Sequence, residues 1–246
     1  MSLRTLRRTW NQFGKQDPLW AILTHTDKSH GRWEVDDFFA TGEAEVASLF
    51  ELLHELAPGW EPGAALDFGC GVGRLSQALA ERVPEVFGVD LSDVMIEKAR
   101  RLERERGADR SGSCTFEVNR TRDLHGLGER RFDLIYSSIT LQHMRPRLQL
   151  GYLREFGRLL SPGGLMVVQI PLAPRRPLNW RGRTLRLLLL GWKRHLNRRP
   201  VMDMFGQPVE VVRATLESAG CEVLGVVEDN ASGSDWISQR YIARRT

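Results

Sequence analysis

The chain has 246 residues, 41% of them hydrophobic and 27% charged, and a formal net charge of +4 at pH 7, a balance that suits one globular domain with a small appendage and excludes disorder over its whole length. Its three cysteines, Cys70, Cys114 and Cys221, are scattered without CxxC or metal-ligand spacing; this gives no support to a disulfide framework or a metal site and suits a reducing, cytoplasmic setting. The basic start MSLRTLRRTW is not followed by an apolar run, and no stretch approaches the ~20 apolar residues that crossing a bilayer requires.

Residues 1–42 carry Trp10, Trp20, Trp33, Phe38 and Phe39 among polar neighbours. These are too many large rings for a disordered tail, and the stretch is expected to be an aromatic arm or cap on a domain spanning 43–246. In GEAEVASLFELLHELA, the residues Val46, Leu49, Phe50, Leu53 and Leu56 recur at helical spacing until Pro58-Gly59 ends the run.

An alternation of short apolar runs and helical patterns follows. AALDF reads as a strand, Arg74 to Arg82 as a helix, EVFGVD as a strand and SDVMIEKARRLERERG as a helix. CTFEVN and FDLIYSS read as strands, PRLQLGYLREFGRLL as a helix and GLMVVQI as a strand. Strands separated by helices imply a parallel sheet with helices on both faces. At the end, PVEVVRATLESAG reads as a helix, and CEVLGVVED and WISQRYIARR as strands joined by NASGSD. So short a connection suits a hairpin, so the sheet is expected to close on an antiparallel strand.

The strand-to-helix junction LDFGCGVGRL holds Gly69, Gly71 and Gly73. Glycine is needed where a tight turn brings backbone close to a ligand, and N–H groups left free at such a turn favour a polar or anionic group. Asp90 ends the next strand, 21 positions after Gly69, where an acidic side chain can accept hydrogen bonds from both hydroxyls of a ribose. Together they point to a bound nucleoside. The dinucleotide fingerprint is G-x-G-x-x-G, whereas here the third glycine comes one position early; a purely structural turn stays open beside the nucleoside reading.

LDFGCGVGRL, GVDLSDVMIEKAR, FDLIYSSITLQHM and LSPGGLMVVQI, in that order and at these intervals, resemble the successive motifs of class I S-adenosylmethionine-dependent methyltransferases. The resemblance covers roughly Leu66 to Ile170. It implies a doubly wound, Rossmann-like α/β fold with a seven-stranded sheet, mostly parallel with one antiparallel strand near the C-terminus. It also implies S-adenosyl-L-methionine as cofactor, S-adenosyl-L-homocysteine as product and no metal. Carried over, the family pattern puts Asp67, Gly69, Cys70, Gly71 and Gly73 on the aminocarboxylate side of the cofactor, with Asp67 acting through water. It puts Asp90 on the ribose, Leu91 and Met95 against adenine, Asn119 or its neighbours Arg120 and Thr121 at the adenine amino group, and Ser137 beneath the sulfonium. Cys70 is expected to serve by its small size rather than as a nucleophile, and Asp133 to brace a turn.

A methyl acceptor that is a hydroxyl or a protonated amine needs a base. His143, in TLQHM just past the fourth strand, is the candidate, with a cap or pocket-support role as the alternative; His25, His30 and Asp203 come behind it. Residues of about 172–205 form a basic insertion, where Leu185, Leu188, Leu189, Trp192 and Leu196 share one helical face and Arg186, Lys193 and Arg194 lie on others. A packed cap helix, an electropositive lid and peripheral attachment to an anionic membrane are the readings left open for it. The segment after the fourth strand lacks a Pro-Pro-aromatic signature, and aromatic residues are sparse in the basic patch, so nucleic acid is disfavoured. The expected activity is methyl transfer to O or N of a small-molecule metabolite. An RNA or protein methyltransferase, a catalytically inactive cofactor-binding protein and an NAD-dependent oxidoreductase are the rivals.

Overall fold

The computed structural model describes residues 2–108, 110–176 and 200–246. Leu3–Gln16 forms α1, Pro18–Ile22 a short α2 and Val35–Leu56 the long α3. The strands are β1 (Ala64–Phe68), β2 (Glu85–Asp90), β3 (Ser113–Val118), β4 (Phe132–Ser137), β5 (Leu160–Pro174), β6 (Cys221–Asp229) and β7 (Trp236–Arg245). Between them lie α4 (Arg74–Leu79), α5 (Asp93–Arg106), α6 (Pro146–Leu159) and α7 (Val209–Ser218). The sheet order is β3-β2-β1-β4-β5-β7-β6, with β7 antiparallel to both its neighbours. This is the expected doubly wound sheet with one reversed strand.

The central strands read as apolar runs because both their faces are covered. On one face Leu66, Ile135, Met166 and Val168 pack with Tyr152, Leu153 and Phe156 of α6 and Leu216 of α7. On the other, Ala65, Leu134, Tyr136, Leu165 and Val167 pack with Leu49 and Leu53 of α3 and Leu79 of α4. Neighbours in sequence thus alternate between two cores, as the two-residue period of a strand requires. Because β1 lies between β2 and β4, the crossovers leave it in opposite directions, and a crevice opens outside the carboxyl ends of β1 and β4.

Three boundaries differ from the sequence reading. The helix α4 ends at Leu79 rather than Arg82; Pro84 disfavours helical backbone at Val83, and the Ala80 carbonyl turns to accept the N–H of Gly112 at 3.0 Å. The helix α3 begins at Val35, seven residues before the periodic stretch, because its first two turns bury Phe38 and Phe39 against the N-terminal segment instead of the sheet. The strand β5 runs over 15 residues, its ends extended by pairing with β4 and β7. Of the expected basic insertion, residues 177–199, with the proposed helical face of Leu185 to Leu196, lie outside the described residues.

The N-terminal segment is tied down. Phe13 and Trp33 pack with Val72 and Met95, and Asp93 at the start of α5 accepts from Arg7 and from Asn11, the latter at 3.3 Å. Ser92 donates to Asn11 at 2.7 Å. At the opposite end of the sheet, Asp133 accepts from the N–H groups of Gly63 and Ala64 at 2.9 and 3.0 Å, pinning the start of β1 to the start of β4. Asp133→Ala is expected to remove about 1–2 kcal/mol of stability, read as a lower urea midpoint at unchanged m-value.

Candidate functional site

The turn between β1 and α4 depends on glycine. Gly69, Gly71 and Gly73 have φ of +83°, +56° and +91°, left-handed backbone that residues with a Cβ seldom adopt. Space decides all three as well: a Cβ on Gly69 would lie 2.1 Å from Thr140 Cγ2, one on Gly71 2.6 Å from Ile22 Cδ1 and one on Gly73 2.9 Å from Phe116 Cζ. The loop's N–H groups are not left open for an anion, contrary to the sequence reading. Gly69 and Cys70 donate to the Val89 carbonyl at 2.7 and 3.1 Å, Gly73 to the Cys70 carbonyl at 2.9 Å, and Gly71 to Asp90 Oδ2 at 3.1 Å. The tight turn consumes these donors internally, so the loop offers a ligand shape rather than a phosphate cradle.

Above this loop lies a cavity of about 460 Å³. Gly69, Cys70, Gly71, Asp90, Leu91, Met95 and His143 reach its wall. Asp67, Gly73, Asn119, Arg120 and Ser137 do not line it. Asp67 lies beneath the loop and accepts from Ser76 at 2.6 Å. Gly73 caps α4, and Ser137 donates to the Phe68 carbonyl at 2.9 Å, leaving its neighbour Ser138 on the cavity wall. Asn119 is engaged with the Asp123 carbonyl and Tyr152 at 3.0 and 3.3 Å, and Arg120 pairs with Asp93 at 2.5 Å. Their side chains are spent on the loop after β3, on α6 and on the start of α5, which the strand pattern could not reveal.

Burial dominates the electrostatics. It pushes the Asp90 carboxyl up to about 6 against the N–H groups of Ser92 and Gly71, and the Asp67 carboxyl up to about 7 against the Ser76 hydroxyl. It raises the Cys70 thiol well above its ordinary value, which leaves that sulfur unreactive. Glu45 is the exception: burial alone would raise it, but the Arg74 guanidinium and the Tyr136 hydroxyl outweigh burial and hold it below 4.5. Arg74 Nη2 meets Glu45 Oε2 at 2.7 Å, and Tyr136 donates to Oε1 at 2.7 Å. Gly42 allows this meeting, since a Cβ there would lie 2.5 Å from the Arg74 carbonyl oxygen.

His143 is 7% exposed, and burial lowers its pKa despite the hydrogen bond it makes at Asp203. Its Nδ1 lies 2.9 Å from the Asp203 carbonyl, which can only accept, so Nδ1 carries the proton and Nε2 the lone pair. Gln142 Nε2 lies 3.2 Å from that lone pair. The amide's orientation is fixed because Gln142 Oε1 accepts from Ser232 at 2.8 Å. Gln169 in turn donates to Ser232 at 2.6 Å and accepts the N–H of Ile139 at 2.9 Å. Ile139 itself has φ +48°, a strained conformation for a β-branched residue.

The sequence set the N-terminal arm and the segment around VMDMFGQP on the acceptor side without naming their wall residues, and it missed the rest of the wall. Glu45 and Arg74, Trp10 and Ile22, Met202 and Met204, and the 230–233 loop all border the cavity. One signal was available: Glu45 precedes Leu49 by four positions and so sits on the apolar stripe of α3, where a carboxylate needs a partner. His25 also borders the cavity, whereas His30 does not, and Asp203 meets His143 through its carbonyl. Among the described residues no group of three or more His, Cys, Asp or Glu could hold a metal ion, and no helix is long and apolar enough to cross a membrane.

The profile of a family described as a methyltransferase domain matches residues 65–164, the stretch that carries the glycine loop, Asp90 and His143. Trans-aconitate 2-methyltransferase of Deinococcus radiodurans is 33% identical over 143 residues, 56% of this chain and 49% of that protein. Trans-aconitate 2-methyltransferase of Pseudomonas aeruginosa is 26% identical over 226 residues, 84% of this chain and 75% of that protein. The crystal structure of magnesium protoporphyrin IX methyltransferase from Synechocystis PCC 6803 with bound S-adenosylhomocysteine superposes with a TM-score of 0.67 at 22% identity, covering 99% of both chains. Residues 65–164 thus form a methyltransferase domain on the fold of S-adenosylmethionine-dependent methyltransferases, and the chain spans about half the length of the Deinococcus relative.

A carboxyl whose pKa is raised by folding binds its proton more readily in the folded state. Its contribution is fully present below the ordinary value of 3.8 and is lost as pH climbs through about 7 for Asp67 and about 6 for Asp90. The ligand-free protein is therefore expected to melt at higher temperature at pH 5 than at pH 8. Asp67→Asn should flatten that slope, and an unchanged slope in the variant would remove Asp67 as its source.

Proposed function

We propose that this protein transfers a methyl group from S-adenosylmethionine to an oxygen or nitrogen of a small-molecule acceptor. The observation that carries the reading is the convergence of the glycine loop, the buried Asp90 carboxylate and the Glu45–Arg74 pair on one 460 Å³ cavity. The residues fit the cofactor. Each Asp90 oxygen accepts one backbone N–H, from Ser92 and from Gly71, and keeps a lone pair for a ribose hydroxyl. Leu91 and Met95 give apolar contact for a base. Glu45 and Arg74 supply the opposite charges that an ammonium and a carboxylate would meet. The buried Ser138 hydroxyl, beside Glu45 and Tyr136, adds a polar group to the wall. Because the N–H groups of the loop glycines are consumed within the turn, a pyrophosphate would find few donors there, which favours an aminocarboxylate-bearing nucleoside over a dinucleotide.

When bound, the cofactor supplies a methyl group already activated on a sulfonium. The chain's part is then to align the acceptor and exclude water. Trp10, Ile22, Met202 and Met204 close the cavity from the arm and from the segment before α7, and methionines suit an irregular apolar acceptor surface. His143, neutral at pH 7 because burial lowers its pKa, holds its lone pair on Nε2. An acceptor hydroxyl that displaces the Gln142 amide would find a base there, with Asp203 fixing the ring through Nδ1. The trans-aconitate methyltransferase relatives support a small-molecule acceptor. The free cysteines support work in a reducing cytoplasm.

Titration calorimetry with S-adenosylhomocysteine and with NAD tests the cofactor. Micromolar binding of the former is expected, weakened at least about tenfold by Asp90→Ala, the loss of two hydrogen bonds to a charged acceptor. Binding of NAD alone would overturn the assignment. With an acceptor found by screening, His143→Ala is expected to lower kcat about 100-fold at unchanged cofactor affinity. It should also abolish the fall in rate on acidification below 6.5; unchanged turnover would leave His143 a pocket residue only.

A further inference from the structure

On the outer side of α1, two adjoining clefts of about 310 and 580 Å³ share Ser2, Leu3 and Arg122. Six arginines line them (Arg4, Arg7, Arg120, Arg122, Arg145 and Arg147), and among the described residues no carboxylate does. Arg7 and Arg120 both lean on Asp93 from beyond the cleft wall. Together they hold that carboxyl well below the usual range, the Arg120 hydrogen bond contributing most. The other four form no ion pair with the described residues, and all four are exposed. They come from three separate parts of the chain: the first turn of α1, the loop after β3 and the start of α6.

The placement runs against local electrostatics. Helix N-termini carry partial positive charge and favour Asp or Glu. Yet α1 and α6, 14 residues each, have no acidic residue in the first turn, and the N-terminus of α6 has no side-chain cap. Arg4 stands in the first turn of α1, and Arg145 and Arg147 flank Pro146 at the start of α6. Two positive helix ends and four guanidinium groups without an ion pair among the described residues therefore face two adjoining clefts that join at Ser2, Leu3 and Arg122, and such an arrangement repels itself unless an anion joins it. Guanidinium groups bind phosphate oxygens in pairs, which suits a multiply charged phosphate.

The cleft at the start of α6 shares a wall with the inner cavity, formed by Leu6 and His143, which border both. We propose that the two adjoining clefts between α1, the loop after β3 and the start of α6 bind a phosphate-type anion of charge two or more carried by the acceptor, with Arg122, Arg145 and Arg147 as its ligands and Arg4 beside them across Ser2 and Leu3. Anchored there, the acceptor would extend past Leu6 to present its methylated atom beside His143. This assignment rests on the reading of the inner cavity as the methyl-transfer site.

Calorimetric titration of the full chain with inorganic pyrophosphate tests it. Submillimolar binding is expected, weakened at least tenfold in Arg122→Ala/Arg147→Ala and unchanged in Arg101→Ala/Arg104→Ala, which removes the same charge from α5. Equal weakening in both double variants would mean diffuse attraction and overturn the site, as would no binding by the unmodified protein. Co-sedimentation with phosphatidylglycerol vesicles separates the sources of phosphate. Vesicle binding that depends on Arg122 and Arg147 while pyrophosphate does not bind would make the cleft a lipid-docking surface and overturn the acceptor assignment. S-adenosylhomocysteine affinity, measured on the same samples, is expected to be equal in all three proteins. Its absence from the unmodified protein would sink the methyltransferase reading independently of the pyrophosphate result.

Discussion

The turn from Gly69 to Gly73 is the constraint on which the rest of the molecule depends. Three left-handed glycines in five residues cannot hold that shape alone, because glycine loses more freedom on ordering than any other residue. The turn is clamped by its neighbours. The Val89 carbonyl accepts two of its N–H groups and Asp90 a third, while Thr140, Ile22 and Phe116 close on the faces where a Cβ would stand. The clamp draws β2, the loop after β4 and the N-terminal segment to one point, and the cavity is the space left between them.

Charge is handled differently on the two sides of α1. Inside, Glu45 and Arg74 are buried as a pair, with Tyr136 on the second carboxylate oxygen, so the low-dielectric wall carries opposite charges in fixed positions. A buried pair of this kind is a costly way to gain stability, and its position on a ligand cavity gives it a different use, as a complement to a ligand with both charges. Outside, Arg4, Arg122, Arg145 and Arg147 gather without a counter-charge among the described residues, and the helix ends reinforce them. The helix α1 separates the two environments, and its apolar stripe of Leu6, Trp10 and Phe13 faces inward.

Between them, His143 belongs to a directed chain of hydrogen bonds. The Ile139 N–H fixes Gln169, Gln169 supports Ser232, Ser232 orients Gln142, and Gln142 and the Asp203 carbonyl decide which imidazole nitrogen holds the proton. The strain at Ile139 is sustained by that chain, since its own N–H is one of the links. Four separate stretches of sequence thus determine the protonation pattern of one side chain.

The alternation of apolar runs, the glycine triplet and the acid 21 positions later were enough to read the seven-stranded sheet and to bring the glycine loop and Asp90 together, and Asp133 was legible as a brace. Those features are local: a strand buried on both faces, a left-handed turn and a strand tip are each written in a few adjacent residues. Glu45 meeting Arg74, Ser138 rather than Ser137 facing the cavity, and the diversion of Asn119 and Arg120 to other partners were not legible in the same way. Each depends on which side chains distant segments bring together. The period of a strand says that Ser137 and Ser138 face opposite ways, but only the packing of α3 and α4 against β4 decides which of the two meets the ligand. The internal use of the loop N–H groups is of the same kind, because a glycine pattern specifies a tight turn, and the strand beside it determines where the donors go.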